Sequence, residues 1–298
     1  MNGYHKSVLF DEVLGGLNVQ KDKWFLDCTL GDGGYSLAIL KLGGRVVGLD
    51  VDPQALERAK KRFEQEDIDK SKYQLIKTNF RDYEQTPIQL GQTDLKFAGA
   101  IFDLGVSSLQ LESPERGFSF GKNGPLDMRM DPSLDIQALD LVNNLSGKEL
   151  YELFKNLGEE KHSKRLADFI VSTRKINPFT TTGQLAFMVE KAIGRKSRDG
   201  HDKHPATRMF QALRIMVNDE LGALEEGLKK TINLIEKNGY IFVISFHSLE
   251  DRIVKNIYRS WESEDLGDIM TPKPIIPTMT EVLVNPRSRS AKMRIFKV

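Results

Sequence analysis

Apolar and polar positions along this chain change period several times, and the changes mark out alternating strands and helices. Trp24-Phe25-Leu26-Asp27-Cys28-Thr29 is a short apolar run stopped by Gly31-Asp32-Gly33-Gly34. Tyr35 to Leu42 then follows at helical spacing until Gly43-Gly44 breaks it. Arg45-Val46-Val47-Gly48-Leu49-Asp50 reads as a second strand. Asp52-Pro53 opens a helix, with Asp as N-cap and Pro at the first helical position, and Ala55, Leu56, Ala59 and Phe63 form its apolar stripe. Tyr73 to Thr78 and Phe97 to Leu104 read as further strands. Tyr240 to Phe246 is a continuous apolar run of the kind buried on both faces. This alternation predicts an α/β fold built on a doubly wound parallel sheet.

One crossover is far too long. About 135 residues separate the fourth strand from the fifth, where a strand-helix-strand unit needs about 30 in all. Met209, Leu213, Met216, Val217, Leu221, Leu224 and Leu228 recur at helical spacing and predict one crossover helix running up to Asn238-Gly239. The surplus therefore forms an insertion, 113–205, inside a domain made of 1–112 and 206–298. Its first part, Ser113 to Pro132, holds three glycines and three prolines with little periodicity, as a functional loop would. Its second part is helical. Ser146-Gly147-Lys148-Glu149 has the form of a capping box ahead of Leu150, Leu153, Phe154 and Leu157, and Glu160 to Lys175 and Thr182 to Ile193 read as further helices. The insertion is expected to overhang the site described next.

Glycines between a strand and a helix allow positive φ and close approach of the backbone to a ligand, while the helix start offers N–H donors to negative charge. Asp50 follows about 20 residues on, where a ribose hydroxyl would sit. Gly31-x-Gly33-Gly34 lacks the third glycine of the dinucleotide fingerprint, which favours S-adenosylmethionine over a nicotinamide dinucleotide. A dinucleotide-dependent oxidoreductase stays as the competing enzyme class.

Composition narrows the setting. With 40% hydrophobic residues in 298, the chain can bury a full core. Forty-three basic residues against 42 acidic ones leave a net charge of +1, so affinity for nucleic acid has to come from local patches. A single cysteine, Cys28, excludes an internal disulfide framework and fits a reducing cytoplasm; in the first strand it reads as core. Met1 to Phe10 lack the features of a secretory or transit signal, and no apolar stretch approaches a membrane span.

Several longer motifs carry a resemblance. Asp103-Leu104-Gly105-Val106-Ser107-Ser108-Leu109-Gln110, Arg116-Gly117-Phe118-Ser119-Phe120, Gly124 to Asp131, His204 to Ile215, Ser245 to Arg252 and Asn285 to Ala291 are similar to the signatures of the bacterial RsmH-type (MraW-type) methyltransferase family. The match extends from His5 and Val8-Leu9 to the C-terminal strand. The resemblance implies a Rossmann-like methyltransferase sheet with an inserted helical substrate-recognition domain, and S-adenosylmethionine-dependent methylation of N4 of a cytosine in the decoding-centre P site of 16S rRNA. It implies that Gly33, Gly34 and Tyr35 contact the methionine end of the cofactor, Asp50 the ribose, Phe80 the adenine, and Asp103 and Gln110 its far side. Tyr35 stands where the family usually has histidine, which puts a side-chain contact there in question and leaves a backbone contact open. The expected partner is 16S rRNA within the small ribosomal subunit, with no membrane and with a homodimer left open.

The chemistry agrees with the residue types. A cytosine amino group is a poor nucleophile, so catalysis has to align N4 and accept hydrogen bonds from its N–H, which Asp103 at a strand's carboxyl end is suited to do. Methylation at ring C5 would call for a cysteine nucleophile instead. His247 reads either as a contact near the target base or as a structural hydrogen-bonding group, with Ser248-Leu249-Glu250-Asp251 capping the next helix. Phe118 and Phe120 read as base-stacking or as packing residues. Asp127 and Arg129 read as site residues or as a pair that holds their loop. From Asn285 onward, Arg287, Arg289, Lys292, Arg294 and Lys297 occur with no acid, and with Arg252 they read as RNA-phosphate contacts. Lys191, Arg195, Lys196 and Arg198 form a second basic patch. His201, Asp202 and His204 resemble a metal cluster only weakly, and no metal is expected. A non-catalytic, cofactor-binding ribosome-assembly factor is the alternative to the enzyme.

Overall fold

After α1 (Phe10–Leu17), a helix the sequence reading did not include, strands and helices follow that reading closely up to the end of the fourth strand: β1 (Trp24–Asp27), α2 (Gly34–Lys41), β2 (Arg45–Asp50), α3 (Pro53–Gln65), β3 (Tyr73–Lys77) and β4 (Phe97–Asp103). These elements belong to a computed structural model that describes Tyr4 and residues 6–83, 95–194 and 204–298. His5, Arg195, Lys196, Arg198, His201 and Asp202 lie outside the described residues. Six helices come next: α4 (Ser108–Glu112), α5 (Ala138–Asn144), α6 (Gly147–Asn156), α7 (Ser163–Arg174), α8 (Thr182–Ile193) and α9 (Thr207–Asn218). The chain ends with α10 (Glu220–Thr231), β5 (Ile235–Ser245), α11 (Ser248–Ser263), β6 (Asp268–Ile269), α12 (Met279–Val284) and β7 (Lys292–Lys297).

Two units emerge, Met1–Gly105 with Leu221–Val298, and Val106–Glu220. In the first, the strands form one sheet in the order β3-β2-β1-β4-β5-β7-β6. β3 to β5 run parallel, whereas β7 is antiparallel to β5 and to β6. The sheet is therefore mixed at one edge and not wholly parallel. The hydrogen bond from Val298 N to Gly239 O closes the reversal. Both faces are covered, because successive residues of one strand enter different clusters: Phe25, Val46 and Phe242 on one side, Leu26, Val47 and Val243 on the other. That double burial is why these strands read as continuous apolar runs.

Strands that run parallel all end at one edge. Asp27 pairs in register with Gly48 and Ile101, Asp50 with Lys77, and Asp103 with Ile244, so the last residues of β1, β2 and β4 are three acids along the carboxyl edge. Ligands gather at this edge in open α/β sheets.

The second unit is helical around its own core of Phe154, Leu166, Ile170, Leu185, Val189, Phe210 and Leu213. The capping box at Ser146 forms as expected: Glu149 N donates to Ser146 Oγ at 3.3 Å, and Ser146 N to Glu149 Oε2 at 2.7 Å. The single helix read through Met209 to Leu228 is instead two, α9 and α10, because Asp219 adopts φ 47° between them. Asn218 explains the break. Its Nδ2 donates to Met128 O at 2.8 Å and its Oδ1 accepts from Met130 N at 2.7 Å, so the residue is tied to a loop about 90 positions earlier. Aspartate tolerates the left-handed region that follows. Arg214 Nε and Nη2 then bind Glu220 Oε1 and Oε2 at 2.8 and 2.9 Å across the turn.

The glycine- and proline-rich loop after α4 is also ordered by specific bonds. Arg116, a buried guanidinium, donates through Nη2 to Arg129 O and Met130 O at 3.0 and 2.9 Å. Arg129 grips Asp127 with two parallel bonds of 2.8 Å, which accounts for that pair as loop structure.

Candidate active site

The glycine turn after β1 depends on glycine at two points. Gly33 has φ 70°, and a Cβ there would lie 2.8 Å from the Phe63 ring; a Cβ on Gly34 would lie 2.2 Å from Ser7 Oγ. Gly33 precedes α2 without any side-chain cap, so donors of the helix's first turn stay available to a ligand. Gly31 N donates to Asp50 Oδ2 at 2.9 Å, and Asp52 N to Asp50 Oδ1 at 2.9 Å. Asp50 thus ties the turn to the end of β2 while keeping further acceptor capacity. Asp32 faces away from this use, bound by Arg58 Nε and Nη2 at 2.7 and 3.1 Å.

Asp27 went unremarked as a site residue in the sequence. It is 1% exposed; Ser36 Oγ donates to its Oδ2 at 2.6 Å and Thr29 N to its Oδ1 at 3.3 Å. The signal was present, since an acid ends an otherwise apolar run just before the glycines. Burial pushes Asp27 up to about 6 against those two hydrogen bonds. Burial likewise pushes Asp50 up to about 6 against its two backbone bonds. Asp103 goes further, to about 8, through burial and then the neighbouring carboxylates of Asp27 and Glu250. Its backbone N–H donates to Thr29 Oγ1 at 2.6 Å, and its Oδ1 is enclosed without a hydrogen-bond partner.

Tyr35 resolves differently from a surface contact. Its ring is 3% exposed and stacks 6.0 Å from Phe10, and its hydroxyl donates to Val8 O. The side chain is core, so only its backbone can serve a ligand. Phe80 packs edge-on to Phe102 at 5.5 Å, and Gly227 makes room for it, since a Cβ there would lie 2.7 Å from the Phe80 ring.

His247 caps α11, not Ser248. Glu250 N donates to His247 Nδ1 at 3.4 Å, while Glu250 Oε2 accepts from Phe246 N and His247 N at 2.7 and 3.2 Å. An Nδ1 that accepts places the ring proton on Nε2, which lies 3.1 Å from Glu250 Oε1 without the alignment of a hydrogen bond. The expected basic tail divides. Arg294 is buried on Asp251 at 2.6 Å, with Lys292 3.5 Å from the same carboxylate, and this pair holds Asp251 below the usual carboxylate range against the cost of burial. Arg252, Arg287 and Arg289 are exposed. Cys28 is buried, and burial followed by Asp27 pushes its thiol up, which suits core and not a nucleophile.

Within the second unit, Gln110 spends its side chain on a capping box, Oε1 accepting from Ser107 N at 3.0 Å. Phe118 joins the helical core at 8% exposure, the packing side of its two readings. Phe120 stacks 4.5 Å from His204 and lies edge-on to Phe210 at 5.1 Å, again a packing role. His204 Nε2 pairs with Glu190 Oε1 at 2.8 Å, and its Nδ1 accepts from Ala206 N at 3.2 Å, so both ring nitrogens are engaged in positioning the entry to α9.

A sheet with this strand order, a glycine turn at β1 and acids ending β1, β2 and β4 defines a Rossmann-like α/β protein with a ligand edge at the carboxyl ends of its strands. The chain belongs to the MraW methylase family, whose model matches residues 2–298. It is 48% identical over 298 residues to "Ribosomal RNA small subunit methyltransferase H" of Synechococcus sp. (strain JA-2-3B'a(2-13)), covering 98% of this chain and 91% of that protein. Proteins of the same name from Sulfurihydrogenibium sp. (strain YO3AOP1) and Clostridium botulinum (strain Loch Maree / Type A3) are 44% and 42% identical, each covering 98% of both chains. The cofactor is S-adenosylmethionine, and the oxidoreductase alternative falls away.

The residues fit that cofactor. Three carboxyl groups are held above their ordinary value at one sheet edge, and one of them has an orphaned oxygen; a ligand carrying an ammonium and a sulfonium offsets the burial of just such a group of acids. Among the described residues, no helix is long and apolar enough to cross a membrane.

Proposed function

We propose that this chain methylates N4 of a cytosine in the decoding-centre P site of 16S rRNA, acting in the cytoplasm on the small ribosomal subunit. The relatives' name supports ribosomal RNA as the substrate, and the motif resemblance supports the atom and the place. The observation that carries the reading is Asp103 Oδ1, enclosed at the carboxyl end of β4 with no partner of its own.

Gly33, Gly34 and the Tyr35 backbone would hold the methionine end of the cofactor, Asp50 the ribose and Phe80 the adenine, with Asp27 and Asp103 supplying negative charge beside them. S-adenosylmethionine, when bound, supplies an electrophilic methyl group and loses its positive charge as the methyl leaves. Asp103 Oδ1 accepts an N–H of the cytosine amino group, which orients N4 and releases its lone pair from the ring. An acceptor kept free of internal bonds costs nothing to redirect toward the substrate, so its preorganisation counts for more than its basicity. The buried, high-lying Cys28 disfavours the competing ring-carbon chemistry. Residues 113–205 serve substrate recognition in this reading, and Arg252, Arg287 and Arg289 meet RNA phosphates.

The deciding experiment incubates the protein and methyl-labelled cofactor with small subunits from a strain lacking the enzyme, followed by nucleoside analysis. Label in N4-methylcytidine that disappears with Asp103→Ala supports the proposal. Tight cofactor binding without transfer defeats it in favour of the assembly-factor role.

A further inference from the structure

Helix α8 buries one side and exposes another, and the exposed side is not uniformly polar. Leu185, Met188, Val189 and Ala192 enter the core of the second unit. Gln184, Phe187 and Lys191 form the outward stripe at helical spacing. Phe187 is 58% exposed, and it is the one aromatic among the exposed large apolar side chains of the described residues. The Lys191 ammonium stands 4.6 Å from the centre of its ring.

A single exposed apolar side chain is ordinary. The pairing is what distinguishes this one. An accessible aromatic ring with a cation at the same point offers what an unpaired nucleotide needs: a surface for the base to stack on and a charge for the adjoining phosphate. A protein partner would call for contiguous apolar surface, whereas the neighbours of Phe187 on its stripe are an amide and an ammonium. Phe187 also lies outside the core cluster, so its ring is not there to complete the packing of α8.

We propose that Phe187 and Lys191 form a docking point for an unpaired nucleotide of the RNA substrate, with the ring stacking on a base and the ammonium meeting its phosphate. The inference rests on the ribosomal-RNA reading above and deepens it by naming a contact on the helical unit.

The test uses the full-length protein with its cofactor and a single-stranded fragment of small-subunit rRNA. Phe187→Leu keeps apolar bulk but removes stacking; Phe187→Trp keeps stacking; both are exposed changes whose folding is checked by thermal melts. Phe187→Leu is expected to weaken RNA binding about five- to a hundred-fold while Phe187→Trp binds like the parent. Lys191→Gln is expected to reduce the slope of log affinity against log salt by about 0.7. Unchanged RNA affinity in Phe187→Leu, or equal weakening in Phe187→Trp, overturns the proposal. A parent protein that binds cofactor but neither this fragment nor the small subunit overturns the functional reading and this contact together, whereas a parent that binds RNA with Phe187→Leu unchanged overturns the contact alone.

Discussion

Ser36 and Asp27, nine residues apart on either side of the glycine turn, share a buried hydrogen bond of 2.6 Å, the hydroxyl donating to Oδ2. Ser36 is the main counterweight to the burial that raises Asp27. Ser36→Ala leaves the carboxyl with the longer Thr29 bond alone, and Asp27 should titrate above about 6. A loss of about 1–3 kcal/mol is expected for the orphaned Oδ2. Urea denaturation reads the stability and carboxyl NMR the titration; a variant as stable as the parent contradicts the assignment.

The three edge acids give the cofactor-free protein a defined pH dependence. Asp27, Asp50 and Asp103 sit at about 6, 6 and 8 in the fold, above an ordinary 3.8. Each keeps its proton on folding at a pH where the unfolded chain has released it. The contribution of these three groups is therefore fully present below about pH 4 and is lost as pH rises through 6 and then 8, while acids held low in the fold, such as Asp251, act in the opposite sense only at the acid end. Denaturation midpoints between pH 5 and 9 should fall, and Asp103→Asn should remove the upper part of the decline. A midpoint that holds level across that range would falsify the arrangement.

Cofactor affinity should move the other way. A cationic ligand prefers ionised neighbours, so calorimetric affinity should rise over the window in which stability falls, with proton release on binding. Asp103→Asn should flatten the rise above about pH 6. Affinity independent of pH in the parent would place the cation away from these acids.

Gly33→Ala meets two obstacles, φ 70° and the Phe63 ring at 2.8 Å. The left-handed conformation alone costs about 1–2 kcal/mol. Lower stability together with weaker cofactor binding is expected, measured by melting and calorimetry on the same preparation. Full cofactor affinity in a destabilised variant would mean that the turn does not contact the ligand.

The basic tail separates structure from function. Arg294→Met leaves Asp251 buried with only Lys292 beside it and should cost about 3 kcal/mol. Arg289→Glu, on an exposed position, should leave the melting temperature in place and weaken RNA binding with a shallower salt dependence. Equal destabilisation by both changes would erase the distinction.

The local parts of this protein were legible in its sequence because short-range physics makes them. Apolar runs marked β1 to β4 and the core of β5, the Asp52-Pro53 pair marked the start of α3, and Ser146 with Glu149 marked α6; β5 itself begins at Ile235, inside the stretch up to Asn238-Gly239 that the spacing had given to a helix. The glycine turn and Asp50 were legible for the same reason, since backbone freedom and strand-end position are local. Periodicity was silent on the break at Asp219, because the apolar repeat runs straight through it and the cause is Asn218 binding a distant loop.

What the tertiary structure alone decided concerns groups whose partners lie far along the chain. Phe118 and Tyr35 could have faced a ligand or a core, and packing put both in a core. Arg294 could have met RNA, and Asp251, 43 positions away, took it. The direction of β7 followed from its pairing with β5 and not from its own residues. Composition and spacing determined the elements and the kind of turn, because those energies are local. Which acids share an edge, which cation is neutralised and which ring is buried depend on contacts between distant segments, and these exist only once the chain has folded.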